Sequence, residues 1–176
     1  MGERAAGRVL RSGKKGGQDV GYGRKGKGST LDLLTEGQGL PIALDVTAAN
    51  VHETKPVLAM VDGVHVQPKG RRFQRRPKHL IADRGYDSMP LRRALRARSI
   101  RPIIPARVWK DRKRKKGRPA GSFTPGQYQG RWKIERTHAW MDNYRRVAVR
   151  WDHTSESFKA WSIIACIMIC LNNILR

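Results

Sequence analysis

His79-Leu80-Ile81-Ala82-Asp83-Arg84-Gly85-Tyr86-Asp87-Ser88 is the stretch that decides the fold class. A short apolar run ends on an acid, a glycine comes two places later, and a hydroxyl opens residues 89–98 (MPLRRALRAR). That order predicts a buried strand, a tight turn and a helix over about 88–98. Ser88 is the expected cap, with Pro90 tolerated in the first turn. Residues 100–105 (IRPIIP) predict another short strand, and their prolines confine it to a sheet edge.

Upstream, residues 29–35 (STLDLLT) and 40–47 (LPIALDVT) flank Gly37-Gln38-Gly39, which reads as a β-hairpin. A helix over about 53–62 follows, with Asn50 or Thr54 as cap and Pro56 in its first turn. His52 reads as a turn or cap residue rather than a ligand. Residues 63–78 form a linker loaded with Lys69, Arg71, Arg72, Arg75, Arg76 and Lys78. Residues 1–29 are basic and glycine-rich without a strand or helix period, which predicts a flexible arm suited to a phosphate backbone or simply to solvent.

Downstream, residues 107–118 hold eight basic residues and one acid, too charged to pack, and read as a loop. Tyr128-Gln-Gly-Arg131-Trp-Lys-Ile-Glu135-Arg136-Thr-His-Ala-Trp140 starts a helix running to about Tyr144. Tyr128, Arg131 and Glu135 share one face at i, i+3 and i+7. Trp132 and Trp140 are placed to fix the helix against the body. Thr154 to Ser157 make a helix start, and residues 158–175 are apolar nearly all round. The unbroken part, 160–171, is too short for a membrane span and predicts a fully buried core helix. Cys166 and Cys170, four apart on that helix, read as small core residues in a reducing compartment.

The 176 residues suffice for one domain with a real core. The formal net charge of +23 describes a partner more than a fold, and nucleic acid leads the polyanions that fit it. A membrane partner is not expected: the basic residues cluster in loops, and no apolar leader follows Met1.

Strand, helix and strand in this order make an α/β pattern, in which sites form at strand ends. Asp83 at a strand's carboxyl end and Glu135 on a later helix would supply hard oxygen ligands for magnesium or manganese. The plainer alternatives are that Asp83 caps the amides of Gly85 and Tyr86, and that Glu135 is a surface acid in an ion-pair cluster.

Residues 79–88 resemble the second-aspartate motif of bacterial insertion-sequence transposases of the DDE type. Tyr128-x-x-Arg131-x-x-x-Glu135-Arg136-Thr137-x-Ala139-Trp140 resembles their third-acid motif, a Tyr–Arg–Glu–Lys signature. Residues 23–30, Gly39-Leu40-Pro41 and Ala49-Asn50-Val51-His52 are similar to the family's segments between the first and second acids. The resemblance runs from about residue 16 to the end and is closest to the insertion-sequence groups numbered four and five. It implies a ribonuclease-H-like mixed sheet flanked by helices over residues 30–176. It also implies two divalent ions, Mg2+ or Mn2+, held on two aspartates and a glutamate for DNA cleavage at element ends and joining to target DNA. Carried over, Asp83 and Glu135 are catalytic and hold metal. Tyr128, Arg131, Lys133, Arg136, Arg145 and Arg146 contact DNA. The cytoplasm, at the nucleoid, is the expected location.

Two departures matter. Asp142 stands where the signature has a lysine, so Arg145 or Arg146 must supply that charge. The family's first aspartate has no match, since Glu3, Asp19 and Asp32 all fall in the wrong context. The expectation is therefore a downstream transposase segment missing its first, central strand, with residues 6–12 (AGRVLRS) as a partial substitute. Its expected partners are DNA, and an upstream transposase segment or a second copy. A catalytically silent DNA-binding remnant and a basic RNA-binding protein are the rival expectations.

Overall fold

A computed structural model describes residues 2–13, 15–64, 76–107 and 125–175. Its strands are β1 (Glu3–Ser12), β2 (Gly21–Gly23), β3 (Gly26–Glu36), β4 (Pro41–Ala48), β5 (His79–Ile81) and β6 (Arg101–Ile103). They form one sheet in the order β2-β3-β1-β5-β6, with β4 also paired to β3. The pairs β1–β3, β2–β3 and β3–β4 are antiparallel, whereas β1–β5 and β5–β6 are parallel. The helices are α1 (Thr54–Gly63), α2 (Met89–Ala97), α3 (Pro125–Tyr128), α4 (Trp132–Asp142), α5 (Arg145–Ala148) and α6 (Ser155–Ile174). The expected hairpin, the helix after Thr54 and the edge strand carrying Pro102 are all present.

Period-two alternation sends neighbouring residues to opposite apolar layers. Ala5, Ile81, Leu31 and Leu33 join Ile134, Met141, Phe158 and Ile169 of α4 and α6. Ala6, Leu80, Ala82 and Leu34 join Val57, Val61, Leu91 and Leu95 of α1 and α2. The result is a mixed α/β sheet covered by helices on both faces.

Two expectations are overturned. Residues 3–12, read as part of a flexible arm, form β1, and β1 is the central strand between β3 and β5. The sheet is not missing its central strand. The alternation was hidden because β1 buries small and charged residues. Gly7 lies so close under α4 that a Cβ there would stand 2.7 Å from Ile134 Cγ1. On the other face, the half-buried charge of Arg8 is met by the buried Asp32. The second correction concerns α6. Thr154 caps it through the Ser157 amide as expected, yet only Phe158, Ser162, Ala165, Cys166 and Ile169 are buried. Ile163, Ile164, Ile167, Met168 and Leu171 are 42–52% exposed, because one sheet face covers only one side of a helix that is apolar all round. At 20 residues α6 also has the length and composition of a membrane span, which the run 160–171 alone lacks. Most of the expected basic linker 63–78 and loop 107–118 lies outside the described residues.

Candidate cation and nucleic-acid site

Asp83 stands just past the carboxyl end of β5. Its Oδ1 accepts the Gly85 N–H at 2.8 Å and opens the 3-10 turn Arg84–Tyr86. The capping role read from the sequence holds for Gly85, while the Tyr86 amide donates to the Asp83 carbonyl instead, and Oδ2 is left without a hydrogen bond among the described residues. The parallel register pairs Ala5 with Ile81. Continued by two residues, it sets Gly7 of the central strand level with Asp83. A carboxylate at position 7 would neighbour Asp83; glycine supplies none.

Helix α4 crosses β1 above Gly7. One flank is tied to the β3–β4 turn. Lys133 Nζ donates to the Gly37 carbonyl at 2.5 Å, Arg136 Nη2 to Gln38 at 2.6 Å, and Thr137 Oγ1 to Gly39 at 2.5 Å. Gly39 has φ +94°, and a Cβ there would lie 3.0 Å from Arg136, so this close seat needs glycine. At 100° per residue the opposite flank carries Arg131, Glu135, His138 and Asp142. Since β3 lies on one side of β1 and β5 on the other, that flank is the one on the β5 side, where the chain turns at Asp83.

Glu135 is 56% exposed at its side chain and pairs with Arg131 at 2.5 Å. The Arg131 guanidinium lies 5.7 Å from the centre of the Tyr128 ring. The phenol, guanidinium and carboxylate therefore meet as their spacing predicted, although residues 129–131 form a 3-10 turn. Trp132, expected to anchor the helix, is 51% exposed. With Trp140 it sandwiches Arg136, each ring centre being 4.6 Å from the guanidinium. Lys133 and Arg136 thus hold α4 to the sheet. Asp142 pairs with Arg11, while Arg146 pairs with Asp152 at 3.3 Å and lies over Trp161. Arg145 is exposed.

A residue missed by the sequence reading lies beside Asp83. A Cβ on Gly85 would collide with the Glu53 carboxylate, so Glu53 reaches over this turn from the start of α1. Burial pushes the Glu53 carboxyl up, and the neighbouring Asp83 charge adds to it. The buried Tyr86 hydroxyl has no hydrogen-bond partner, and its own ionisation is pushed far up by burial, with Asp32 adding to it. The sequence signal was the acid after His52, which read as no more than a helix opening.

Carboxylate oxygens suit a hard divalent ion, and an orphaned buried hydroxyl is what a hydrated ion or its ligand would satisfy. Among the described residues, no three His, Cys, Asp or Glu side chains gather in a ready metal-binding group. The donor type fits such an ion, while Gly7 leaves the central strand without a donor.

Residues 7–171 match a family described as the transposase DDE domain. The chain is 35% identical over 151 residues to a protein described as a transposase for insertion sequence element IS402 of Burkholderia cepacia. That alignment covers 85% of this chain and 65% of the relative, so the chain spans somewhat under two-thirds of the relative's length. Among solved structures, it is similar to the piggyBac transposase in a synaptic complex with hairpin DNA, with a TM-score of 0.58. The likeness covers 94% of this chain and 45% of that one at 12% identity, and it is a likeness of fold: a ribonuclease-H-like mixed sheet.

Proposed function

This chain belongs to the transposase DDE domain family, and on that premise we propose that it acts on DNA as part of an insertion-sequence transposase, with Asp83 and Glu135 holding a divalent cation. The observation that carries the reading is the seat of α4. It turns the Glu135 flank to the β5 side of the sheet, where Asp83 ends its strand next to the centre.

Bound there, Mg2+ or Mn2+ supplies the positive charge that a phosphodiester needs as it takes up a nucleophile. The chain does the rest. The Gly85 amide fixes Asp83 through one oxygen and leaves the other to bind. Arg131 holds the Glu135 carboxylate in place and, released from it, is positioned to bind a backbone phosphate. Tyr128 offers a ring beside the cut strand, and Arg145 and Arg146 extend the cationic track. Lys133 and Arg136 keep α4 seated and add their remaining N–H groups to that field. A further transposase segment or a second copy is its proposed protein partner. DNA in the cytoplasm, at the nucleoid, is the substrate's expected place.

Two assays test this reading. Duplex DNA binding should fall steeply as salt rises, because phosphate contacts dominate it. Strand cleavage should require Mg2+ or Mn2+ and disappear in both Asp83→Asn and Glu135→Gln. Cleavage persisting in both variants, or RNA bound more tightly than duplex DNA, overturns the reading. Gly7 favours a second reading, in which the chain binds DNA and is catalytically silent for want of a central-strand carboxylate. Salt-sensitive DNA binding with no cleavage in either metal would select it.

A further inference from the structure

Beside Asp83, the Glu53 carboxyl is pushed up by burial and by the Asp83 charge, with Arg8, His52 and Arg107 opposing. Arg8, a half-buried cation on the α1 face, spends its donors on both oxygens of Asp32, on Thr47 Oγ1 and on the Val51 carbonyl. Glu53, just before α1, makes no hydrogen bond among the described residues. It sits over Gly85, whose amide donates to Asp83. Both carboxylates flank a single residue. Summing bond lengths from the Glu53 oxygen through Gly85 puts the two acids no more than about 8 Å apart. A hydrated ion fills such a gap, since magnesium-like ions keep several waters. The Tyr86 side chain is 1% exposed, and its unpartnered hydroxyl lies in the field of Asp32 first, then of Arg8, Glu53 and Asp83. A phenol in that position has nothing to bond in the bare protein, and it would find a partner in an ion's water or in a ligating carboxylate.

We propose that Glu53 is a further cation-holding carboxylate, taking a hard divalent ion together with Asp83. This rests on the reading that Asp83 holds such an ion. Glu53 comes from the α1 face and Glu135 from the α4 face, so the end of β5 is approached by acids from both sides of the sheet. Glu53 restores the negative charge that Gly7 does not provide. A plainer role, an acid favoured at a helix start, would stabilise α1 but leave cation affinity alone.

Mn2+ titrated into the full chain, followed by the loss of its free-ion paramagnetic resonance signal, separates these roles. Glu53→Gln should weaken Mn2+ affinity about tenfold, as Asp83→Asn does, and should shift the rise in Tm that Mn2+ gives the unaltered chain to about tenfold higher Mn2+. Gly85→Ala provides a second route, because its methyl displaces Glu53 without removing a carboxylate. It should weaken Mn2+ binding to a similar degree. Unchanged affinity in Glu53→Gln and Gly85→Ala, with loss in Asp83→Asn, overturns the role of Glu53 and leaves Asp83 as a ligand. Absence of Mn2+ binding by the unaltered chain overturns both.

Discussion

Arg8 donates to the two oxygens of Asp32 at 2.6 and 3.0 Å, and Asp32 is wholly buried. Burial pushes the Asp32 carboxyl up, the Arg8 fork opposes it, and Thr47 Oγ1 adds a bond at 2.9 Å. Removing one partner strands the other's charge. Arg8→Ala should therefore cost about 3–5 kcal/mol of stability, read from urea denaturation. A loss below about 1 kcal/mol would show that Asp32 is not charged there. His138 makes a different case. Its ring is packed against Gly7, and burial, then Arg11, lower its pKa from 6.5 to about 4 against the opposing pull of Asp142 and the Gly7 backbone. The native ring is neutral where the unfolded ring takes a proton. Its contribution to stability is full above pH 6.5 and is lost as pH falls toward 4, about 3 kcal/mol in all. His138→Phe should flatten that slope in a pH series of melting curves. At this scale Asp83 was legible, since an acid closing an apolar run before a glycine has few other readings. Glu53 was not, because it meets its partner 30 residues away, and no local spacing encodes that contact.

Among the elements, the hairpin and the start of α6 followed from local chemistry, β-branched runs around a Gly-Gln-Gly turn and a threonine cap, whereas Glu53 rather than Asn50 or Thr54 precedes α1 and Ser88 makes no side-chain cap bond to α2. The seat of α4 depends on such a detail. Gly39→Ala forces a side chain into a positive-φ position already crowded by Lys133 and Arg136. It should cost at least about 1 kcal/mol in thermal unfolding. An unchanged Tm would mean that the turn does not hold the helix. Strand β1 resisted reading because its buried pattern is written in alanine, glycine and arginine, which carry no strong periodic signal. The length and apolarity of α6 were legible. How much of it the sheet covers was not, because coverage depends on the geometry of another layer.

Over the whole molecule, a net charge of +23 surrounds a sheet whose central strands bring few acids together. The order of elements was readable as α/β. The sheet's completeness was not, since the central strand lies in the stretch that looked least ordered. The central claim is that residues 83 and 135, remote in sequence, share one cation. Replacing that ion with Fe2+ and adding ascorbate and peroxide cuts the backbone only near the bound iron, and mass spectrometry locates the cuts. Cuts clustered at both 83 and 135, suppressed together by Mg2+ and by Asp83→Asn, are the expected result. Cuts near one of these residues and never the other would contradict the account.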